Sequence, residues 1–335
     1  MFGTPLVLSP LAGGPGRPER VAAVGDGGGF GFLPAGYKTA ADLMADVRRT
    51  RSLTGAPFGV NVFVPASNRV DEAALAAYLD EIRPEAEGLD VALGPAEWDD
   101  DDWSAKVAAL AADPVAVVSF TFGCPPTEVV RELQHAGSQV VVTVTSAAEA
   151  GEAQAAGADG VCVQGTEAGG HQGAFRDDDP GPEDVLSARL RSVLGAVDLP
   201  VTAAGGLMTA EDMAAALAAG ASSVQLGTAF LRSTESGASN VHKVALAAGE
   251  ATALTRAFSG RTARGIVNRF MGDHPGAPSA YPHVNNATKA LRRESTRRGE
   301  PDAVNLWAGQ GFRQAREDDA ATIADRLLTN LRRLT

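Results

Sequence analysis

A histidine placed just beyond paired glycines is the feature of this sequence with the clearest chemical potential. Residues 161–171 (VCVQGTEAGGH) run from a short apolar strand into a loop that holds Gln164, Gly169, Gly170 and His171. Glycines let backbone N–H groups approach a ligand closely, because no Cβ stands in the way. A histidine beside them can exchange protons near neutral pH. We predict that this loop belongs to an active site; the alternative is a flexible loop with a solvated histidine.

The segments around this loop alternate between short apolar runs and alanine-rich helical stretches. Most of the apolar runs are continuous, which is typical of parallel strands buried on both faces. Helix signals lie between them, such as Thr209 before AEDMAAALAA and Gly220 after it. Eight strand–helix units predict an α/β fold, a (β/α)8 TIM barrel, with an open doubly wound sheet as the alternative. The strands are predicted to begin near residues 5, 29, 58, 115, 139, 159, 200 and 222.

The regular alternation ends near residue 230 and predicts a division of the chain. Residues 1–232 form the predicted barrel, and 233–316 a smaller, mainly helical capping domain that contributes to substrate binding. Residues 317–335 are expected to form a C-terminal helix that packs back on the barrel. This stretch follows a Gly/Pro-rich segment (GDHPGAPSAYP) and further helical sequence.

Composition excludes several classes of protein. The net charge of −12 over 335 residues, with an isoelectric point near 4.9, argues against a nucleic-acid partner. A membrane span and a signal peptide are not expected, since no apolar run is long enough and the start lacks a basic region. Two cysteines, Cys124 and Cys162, indicate buried thiols and a cytoplasmic location. No metal site is predicted, because His274 and His283 lack further ligands nearby.

Glycine-containing turns follow the last two predicted barrel strands. The first turn ends in Gly206, and the second is the run Gln225, Leu226, Gly227 and Thr228. Barrel enzymes commonly bind phosphate in these two loops, where exposed N–H groups donate to its oxygens. The sequence therefore predicts a phosphate site after strands seven and eight.

Two side-chain amides accompany the predicted phosphate site. Asn61 lies in the third strand and Gln164 follows the sixth, so both face the same end of the barrel. An amide both donates and accepts hydrogen bonds, which suits the pyrimidine edge of a flavin. The glycines of residues 27–31 precede a strand and therefore do not form a dinucleotide fingerprint. These features favour FMN as the cofactor.

The remaining charged and polar candidates are interpreted as structural. Cys124 is expected to pack without reacting, and His135 and His242 are expected at the surface. The aspartate runs at 99–102 and 177–179 are expected to be solvated loops. We expect framework charges, with contact to substrate or phosphate as the alternative, at Arg256, Arg261, Arg264 and Arg269.

A series of motifs resembles the nitronate monooxygenases, formerly called 2-nitropropane dioxygenases, and above all their bacterial class I branch. The motifs keep one order along nearly the whole chain, so they are specific to the superfamily and less so to one activity. They are SPLAGGP (9–15), FGVN (58–61), TFG (121–123), EAGGH (167–171), AGG (204–206), QLGT (225–228), TRAFSG (255–260), ARGIVNRF (263–270) and LWAGQG (306–311).

The resemblance implies roles for individual residues. His171 would be the base beside the flavin, or the group that orients the substrate. The family's C-terminal region brings two tyrosines and a lysine to the substrate, and the matching positions here are Tyr281, Asn285 and Lys289. Their spacing places them on one helical face. Asn285 departs from the tyrosine pattern, and Leu11 stands where methionine is usual. FMN contacts are implied at Asn61, Gln164, Gly169, Gly206, Gln225, Leu226, Gly227 and Thr228.

The implied activity is FMN-dependent oxidation of alkyl nitronates, such as propionate 3-nitronate, with O2 to carbonyl compounds and nitrite. One alternative on the same scaffold is an NAD(P)H-dependent flavin reductase of the enoyl-thioester or quinone type. Another is a barrel that binds flavin without catalysis. The sequence leaves the oligomeric state open, with a homodimer as one option.

Overall fold

A computed structural model describes residues 1–65, 67–177 and 184–335. Eight parallel strands close into a barrel, which confirms the predicted fold. One further short strand, β7 (Gly170–His171), follows β6 along the chain and lies outside the barrel. The barrel strands, in order around it, are β1 (Leu6–Leu8), β2 (Phe30–Pro34), β3 (Phe58–Phe63), β4 (Val117–Thr121), β5 (Gln139–Val144), β6 (Gly160–Gln164), β8 (Val201–Ala204) and β9 (Ser223–Leu226).

The helices surround the barrel, and local sequence explains where several of them begin and end. The Thr209 side chain accepts from the Asp212 N–H, and the Asp212 carboxylate accepts in return, which forms a capping box. Gly157 ends its helix with φ of +92°, a conformation that favours glycine. The helices are α1 (Pro18–Asp26), α2 (Ala40–Leu53), α3 (Glu72–Gly88), α4 (Trp103–Ala112), α5 (Thr127–His135), α6 (Ala147–Ala156), α7 (Leu186–Leu194) and α8 (Ala210–Ala218).

The last helix, α13 (Ala320–Leu334), packs against α1 and α8. Its buried face includes Ile323, Leu327 and Leu331, which lie in the same apolar cluster as the barrel core. Spacing of four residues places these side chains on one face of the helix. Within the described residues, no helix combines the length and apolarity needed to cross a membrane.

A smaller set of elements covers the carboxyl ends of the strands; we call it the cap. It contains a three-stranded antiparallel sheet, in which β11 (Ala263–Ile266) lies between β10 (Thr252–Thr255) and β7, and His171 pairs with Ala263. β7 thus joins the loop after β6 to the cap, and this pairing fixes the His171 backbone. The cap elements are α9 (Asn240–Ala248), β10 (Thr252–Thr255), β11 (Ala263–Ile266), α10 (Arg269–Asp273), α11 (His283–Ala287) and α12 (Lys289–Arg298).

Within the aspartate run at 99–102, the expectation of a solvated loop is wrong for Asp101, whereas Asp99 and Asp102 are exposed as expected. Asp101 accepts from the Tyr37 N–H at 2.7 Å and pairs with Lys106 Nζ at 2.7 Å. Lys106 is fully buried, and a buried ammonium requires a partner because removing its charge from water is costly. Asp102 accepts from the Ala40 N–H. The aspartates therefore hold the Tyr37 loop against the end of the barrel.

Asp177 is likewise not solvated. Its carboxylate is buried, accepts from the Thr262 N–H, and pairs with Arg256 Nε at 3.0 Å. The contact ties the loop after β7 to the cap. Asp178 and Asp179, the rest of that run, lie outside the described residues.

Candidate active site

A cavity of about 520 Å³ lies at the carboxyl ends of the barrel strands, under the cap. The structure brings most of the predicted site residues to this cavity. Two of them do not line it: Leu226 is buried in the barrel core, and Tyr281 lies behind the wall, with its ring 5.7 Å from that of His171. The predicted residues that line the cavity are Asn61, Gln164, Gly169, His171, Gly206, Gln225, Gly227, Thr228, Asn285 and Lys289.

Unused backbone donors border one part of the cavity. The N–H groups of Gly206, Gly227 and Thr228 make no hydrogen bond to any residue that the structure describes. Gly206 has φ of +72°, and a Cβ there would lie 2.8 Å from the Cβ of Glu167. Convergent N–H groups of this kind form an anion-binding concavity. The residues present therefore fit a phosphate group.

The two predicted amides differ in their surroundings. Asn61 Nδ2 donates to Ser119 Oγ at 2.9 Å and to Thr121 Oγ1 at 3.0 Å, which leaves Oδ1 to accept from a ligand. Gln164 is tied at both ends, because Nε2 donates to the His171 carbonyl and Oε1 accepts from the Gly173 N–H. Gln164 therefore also holds the segment that carries His171.

Gly169 serves close packing of the backbone. A Cβ at this position would lie 2.4 Å from the Gly309 N and 2.5 Å from the Ala308 carbonyl carbon. The glycine therefore allows the segment around 308–309 to approach the loop after β6. This contact explains why both regions contain glycine.

His171 is held in place by rings and by one hydrogen bond. Its ring centroid lies 5.8 Å from that of Phe122 and 5.6 Å from that of Trp307. Its Nε2 lies 2.8 Å from Ser259 Oγ, which is also 3.1 Å from the Arg261 carbonyl oxygen. When the hydroxyl donates to that carbonyl, Nε2 carries the ring proton and Nδ1 is left to accept one.

The surroundings of His171 keep it neutral. Burial lowers its pKa to about 3, and the nearby cations Arg261 and Arg292 act in the same direction. Arg261 itself lies over the Phe122 ring, 4.1 Å from its centroid. A neutral imidazole can accept a proton, and a bound anion would raise its pKa by offsetting the two cations.

The cavity wall carries cations and no carboxylate among the described residues. Lys289, Arg292, Arg293 and Thr296 on α12 line it, and the spacing i, i+3, i+4 and i+7 places them on one helical face. Because none of the lining residues is an aspartate or glutamate, the wall favours an anionic ligand.

The single helical face expected for the three substrate positions is not formed. Tyr281 precedes α11, Asn285 lies within α11, and Lys289 begins α12. Thr288 separates the two helices and its hydroxyl donates to the Phe258 carbonyl. Asn285 and Lys289 still reach the cavity, whereas Tyr281 only contacts residues that line it, His171, Phe122 and Tyr37.

Several residues of the site were missed from sequence. Ser259 and Trp307 lie inside the motifs TRAFSG and LWAGQG, which are signals that could have found them. Arg292 lay three positions beyond Lys289, at helical spacing. No sequence signal pointed to Tyr37, whose hydroxyl lies 3.4 Å from that of Tyr281.

His242 was expected at the surface, and this prediction is wrong. The residue is buried, lines the cavity, and its Nε2 lies 3.0 Å from the Trp307 carbonyl oxygen. Asn240 and Lys243 beside it suggest an exposed stretch, but residues 301–314 pack against α9, and Trp307 contacts the histidine. Burial lowers its pKa to about 4, although the contact with the carbonyl opposes this shift.

We therefore expect His242 to make stability depend on pH. The unfolded imidazole has a pKa near 6.5, whereas the folded one has a pKa of about 4. Between these pH values the unfolded state binds more protons, so the free energy of unfolding falls as the pH falls. Denaturation in urea at pH 7 and pH 5 should show wild type losing about 2 kcal/mol more than His242→Gln, since His171 titrates in both proteins. Equal losses would contradict a neutral, buried His242.

A barrel with a capped cavity at the carboxyl ends of its strands, and with an anion cradle beside a histidine, has the architecture of a barrel enzyme. The profile of the nitronate monooxygenase family matches residues 1–330. A nitronate monooxygenase from Pseudomonas aeruginosa is 40% identical, over 98% of this chain and 96% of that protein. The chain belongs to the nitronate monooxygenase family, and it is an oxidoreductase of this type.

Solved structures agree with this assignment. The structure of nitroalkane oxidase from Streptomyces ansochromogenes is similar with a TM-score of 0.96 and 47% identity, covering 99% of this chain and 96% of that one. FabK from Thermotoga maritima is more distant, with a TM-score of 0.76 and 26% identity over 99% of this chain and 94% of that one. The resemblance drawn from sequence motifs is thereby confirmed.

Proposed function

We propose that this protein oxidises alkyl nitronates, such as propionate 3-nitronate, with O2 to carbonyl compounds and nitrite, with FMN as its cofactor. The observation that carries the proposal is the composition of one cavity. It joins an anion cradle, a neutral histidine and a wall with cations and, among the described residues, no carboxylate. Membership in the nitronate monooxygenase family supports the reaction class.

The cofactor is assigned to the barrel. The N–H groups of Gly206, Gly227 and Thr228 would hold the phosphate, and Asn61 Oδ1 would accept from the pyrimidine edge of the flavin. FMN, when bound, supplies the redox chemistry, and the protein supplies position and exclusion of water. In this proposal residues 1–232 hold the cofactor, residues 233–316 form the substrate cap, and 317–335 brace the barrel.

The proton chemistry is assigned to His171. A nitronate is already an anion and needs no base, whereas a neutral nitroalkane must lose its α-proton. In our proposal His171 Nδ1 accepts that proton, while Nε2 stays bonded to Ser259 Oγ. The nitroalkane oxidase neighbour makes turnover of neutral nitroalkanes the second activity to test.

The assignment is tested by oxygen uptake and nitrite release. Purified protein loaded with FMN should consume O2 and release nitrite on propionate 3-nitronate and on ethyl nitronate. Peroxide measured in parallel would separate an oxidase from an oxygenase. A protein that binds flavin yet leaves both nitronates unchanged, and instead oxidises NADH or NADPH, would be a reductase. The cytoplasmic location and the homodimer stay predictions from sequence.

Lys289 is expected to meet the carboxylate of propionate 3-nitronate. Its ammonium is exposed at the cavity and has no partner among the residues that the structure describes. Replacing it by methionine should raise KM for that substrate by up to about fivefold, since an ion pair with an exposed ammonium contributes up to about 1 kcal/mol.

Ethyl nitronate, which has no carboxylate, is the matched control for this variant. Its KM should change little in Lys289→Met, so the ratio of the two KM values is the readout. Unchanged KM for both substrates would place Lys289 outside the site. Equal losses would indicate damage to the cap.

A further inference from the structure

The guanidinium of Arg292 is fixed at the cavity wall by neutral acceptors only. Nε donates to Thr288 Oγ1 at 3.1 Å, and Nη2 donates to the Asn285 carbonyl at 2.7 Å and to Asn285 Oδ1 at 3.0 Å. Among the described residues no carboxylate pairs with Arg292; the ionisable groups that act on its charge are the phenols of Tyr37 and Tyr281. The cation is thus oriented but not neutralised.

Arg292 is half-buried and lines the cavity, so its charge is accessible to an anion bound there. Burial lowers the pKa of Arg292, yet an arginine stays protonated at neutral pH. Its charge also acts on His171, whose pKa it lowers. An anion bound beside His171 would therefore lie in the field of Arg292 and would offset the cost of its burial.

We propose that Arg292 binds the nitronate group of the substrate, and that Asn285 is a positioning residue that holds Arg292 for this task. The inference rests on the proposed function and deepens it. A nitronate carries its charge on two oxygens of a planar group, and a guanidinium presents planar N–H donors that match such a pair. Lys289 would serve the substrate's distal carboxylate, and Arg292 the reacting end.

Asn285 holds the Arg292 guanidinium in position through two acceptors. Asn285 is buried, and its short side chain places Oδ1 next to the backbone carbonyl that accepts from the same Nη2. A tyrosine could not supply this second acceptor, because its hydroxyl lies much further from the backbone. The two Asn285 acceptors therefore suit a site in which Arg292 binds the anion.

The first test compares substrates that differ in charge. Arg292→Met should raise KM for ethyl nitronate and for propionate 3-nitronate by about tenfold to a hundredfold. KM for neutral nitroethane should change by less than about threefold, because that substrate carries no net charge to pair. Arg297→Met is the matched control, since Arg297 on the same helix is exposed, pairs with Glu294, and does not line the cavity.

The pattern across variants decides the assignment. Loss on propionate 3-nitronate alone would move Arg292 to the carboxylate end and overturn the proposal. Unchanged KM for both nitronates, or equal losses in the control Arg297→Met, would also overturn it. Circular dichroism of each variant establishes that the chain is folded before the kinetics are compared.

A second variant leaves Arg292 in place and tests the same site without turnover. Asn285→Asp is nearly isosteric and gives Arg292 a carboxylate partner, which competes with a bound anion. Nitrate, a planar and unreactive anion, is the probe, and calorimetry on the FMN-loaded protein gives its Kd. We expect nitrate to bind roughly tenfold more weakly to Asn285→Asp and to Arg292→Met than to wild type. Equal affinity in all three would overturn the proposal.

Nitronate oxidation and anion binding by Arg292 can be tested independently of each other. If wild type binds nitrate through Arg292 but oxidises no nitronate, the proposed function is wrong and the anion site stands. If wild type oxidises nitronates while both variants match it, the function stands and Arg292 has no role in binding.

Discussion

Replacing His171 by asparagine should lower turnover of neutral nitroethane by roughly 10²- to 10⁴-fold, which corresponds to about 3 to 5 kcal/mol of barrier. The imidazole is neutral, held by Ser259, and in our proposal accepts the α-proton at Nδ1. Asparagine places an amide near the former Nδ1 position, but an amide cannot take the proton. Steady-state oxygen uptake with nitroethane measures the effect.

The control for this variant is preformed ethyl nitronate, from which no proton remains to be removed. Turnover of this substrate should fall far less than turnover of nitroethane. Equal losses on the two would make His171 an orienting group and would contradict the role of base. A normal flavin spectrum of the variant would exclude loss of the cofactor as the cause.

Replacing Gly206 by valine should weaken FMN binding by about 10²-fold or more. Its φ of +72° disfavours a branched residue, and a Cβ there would lie 2.8 Å from Glu167 Cβ. The segment must shift, which removes N–H donors from the phosphate, and each charged hydrogen bond contributes about 1.5 to 3 kcal/mol. Fluorescence titration of the apoprotein with FMN gives the Kd.

Gly137→Val is the matched control for the cofactor prediction. Gly137 also has a positive φ, +104°, but it follows α5, outside the cavity, and a Cβ there would meet no atom within 4 Å. The control should lose stability through backbone strain while its FMN affinity stays near that of wild type. If Gly206→Val bound FMN as tightly as this control, the phosphate would not lie at Gly206.

The barrel could be predicted from sequence because its signal is local. Strands such as β5 (QVVVTV) are apolar on both faces, and caps such as Thr209 mark where helices begin. The glycines after the last two barrel strands and His171 were found for the same reason. Their residue types are unusual at those places in the chain, so neighbouring sequence is enough to reveal them.

The features that the sequence did not predict depend on contacts between distant parts of the chain. β7 is two residues long, and its pairing with β11 joins positions about ninety residues apart. His242 was expected at the surface, but residues 301–314 cover it. Asp101 was expected to be solvated, but it contacts Lys106 and the Tyr37 N–H. Arg292 was missed because its role depends on which residues surround it in the folded protein. The described cavity lining contains no carboxylate, and the order of residues along the chain does not show this.

The central claim is that this cavity brings a nitronate to bound FMN. The most direct test is anaerobic mixing of the purified, FMN-loaded protein with propionate 3-nitronate. The visible absorbance of the flavin is recorded on the time scale of turnover. The account predicts rapid loss of that absorbance with the nitronate and none with NADH or NADPH. Loss of flavin absorbance with NADH or NADPH, and no loss with the nitronate, would contradict this claim.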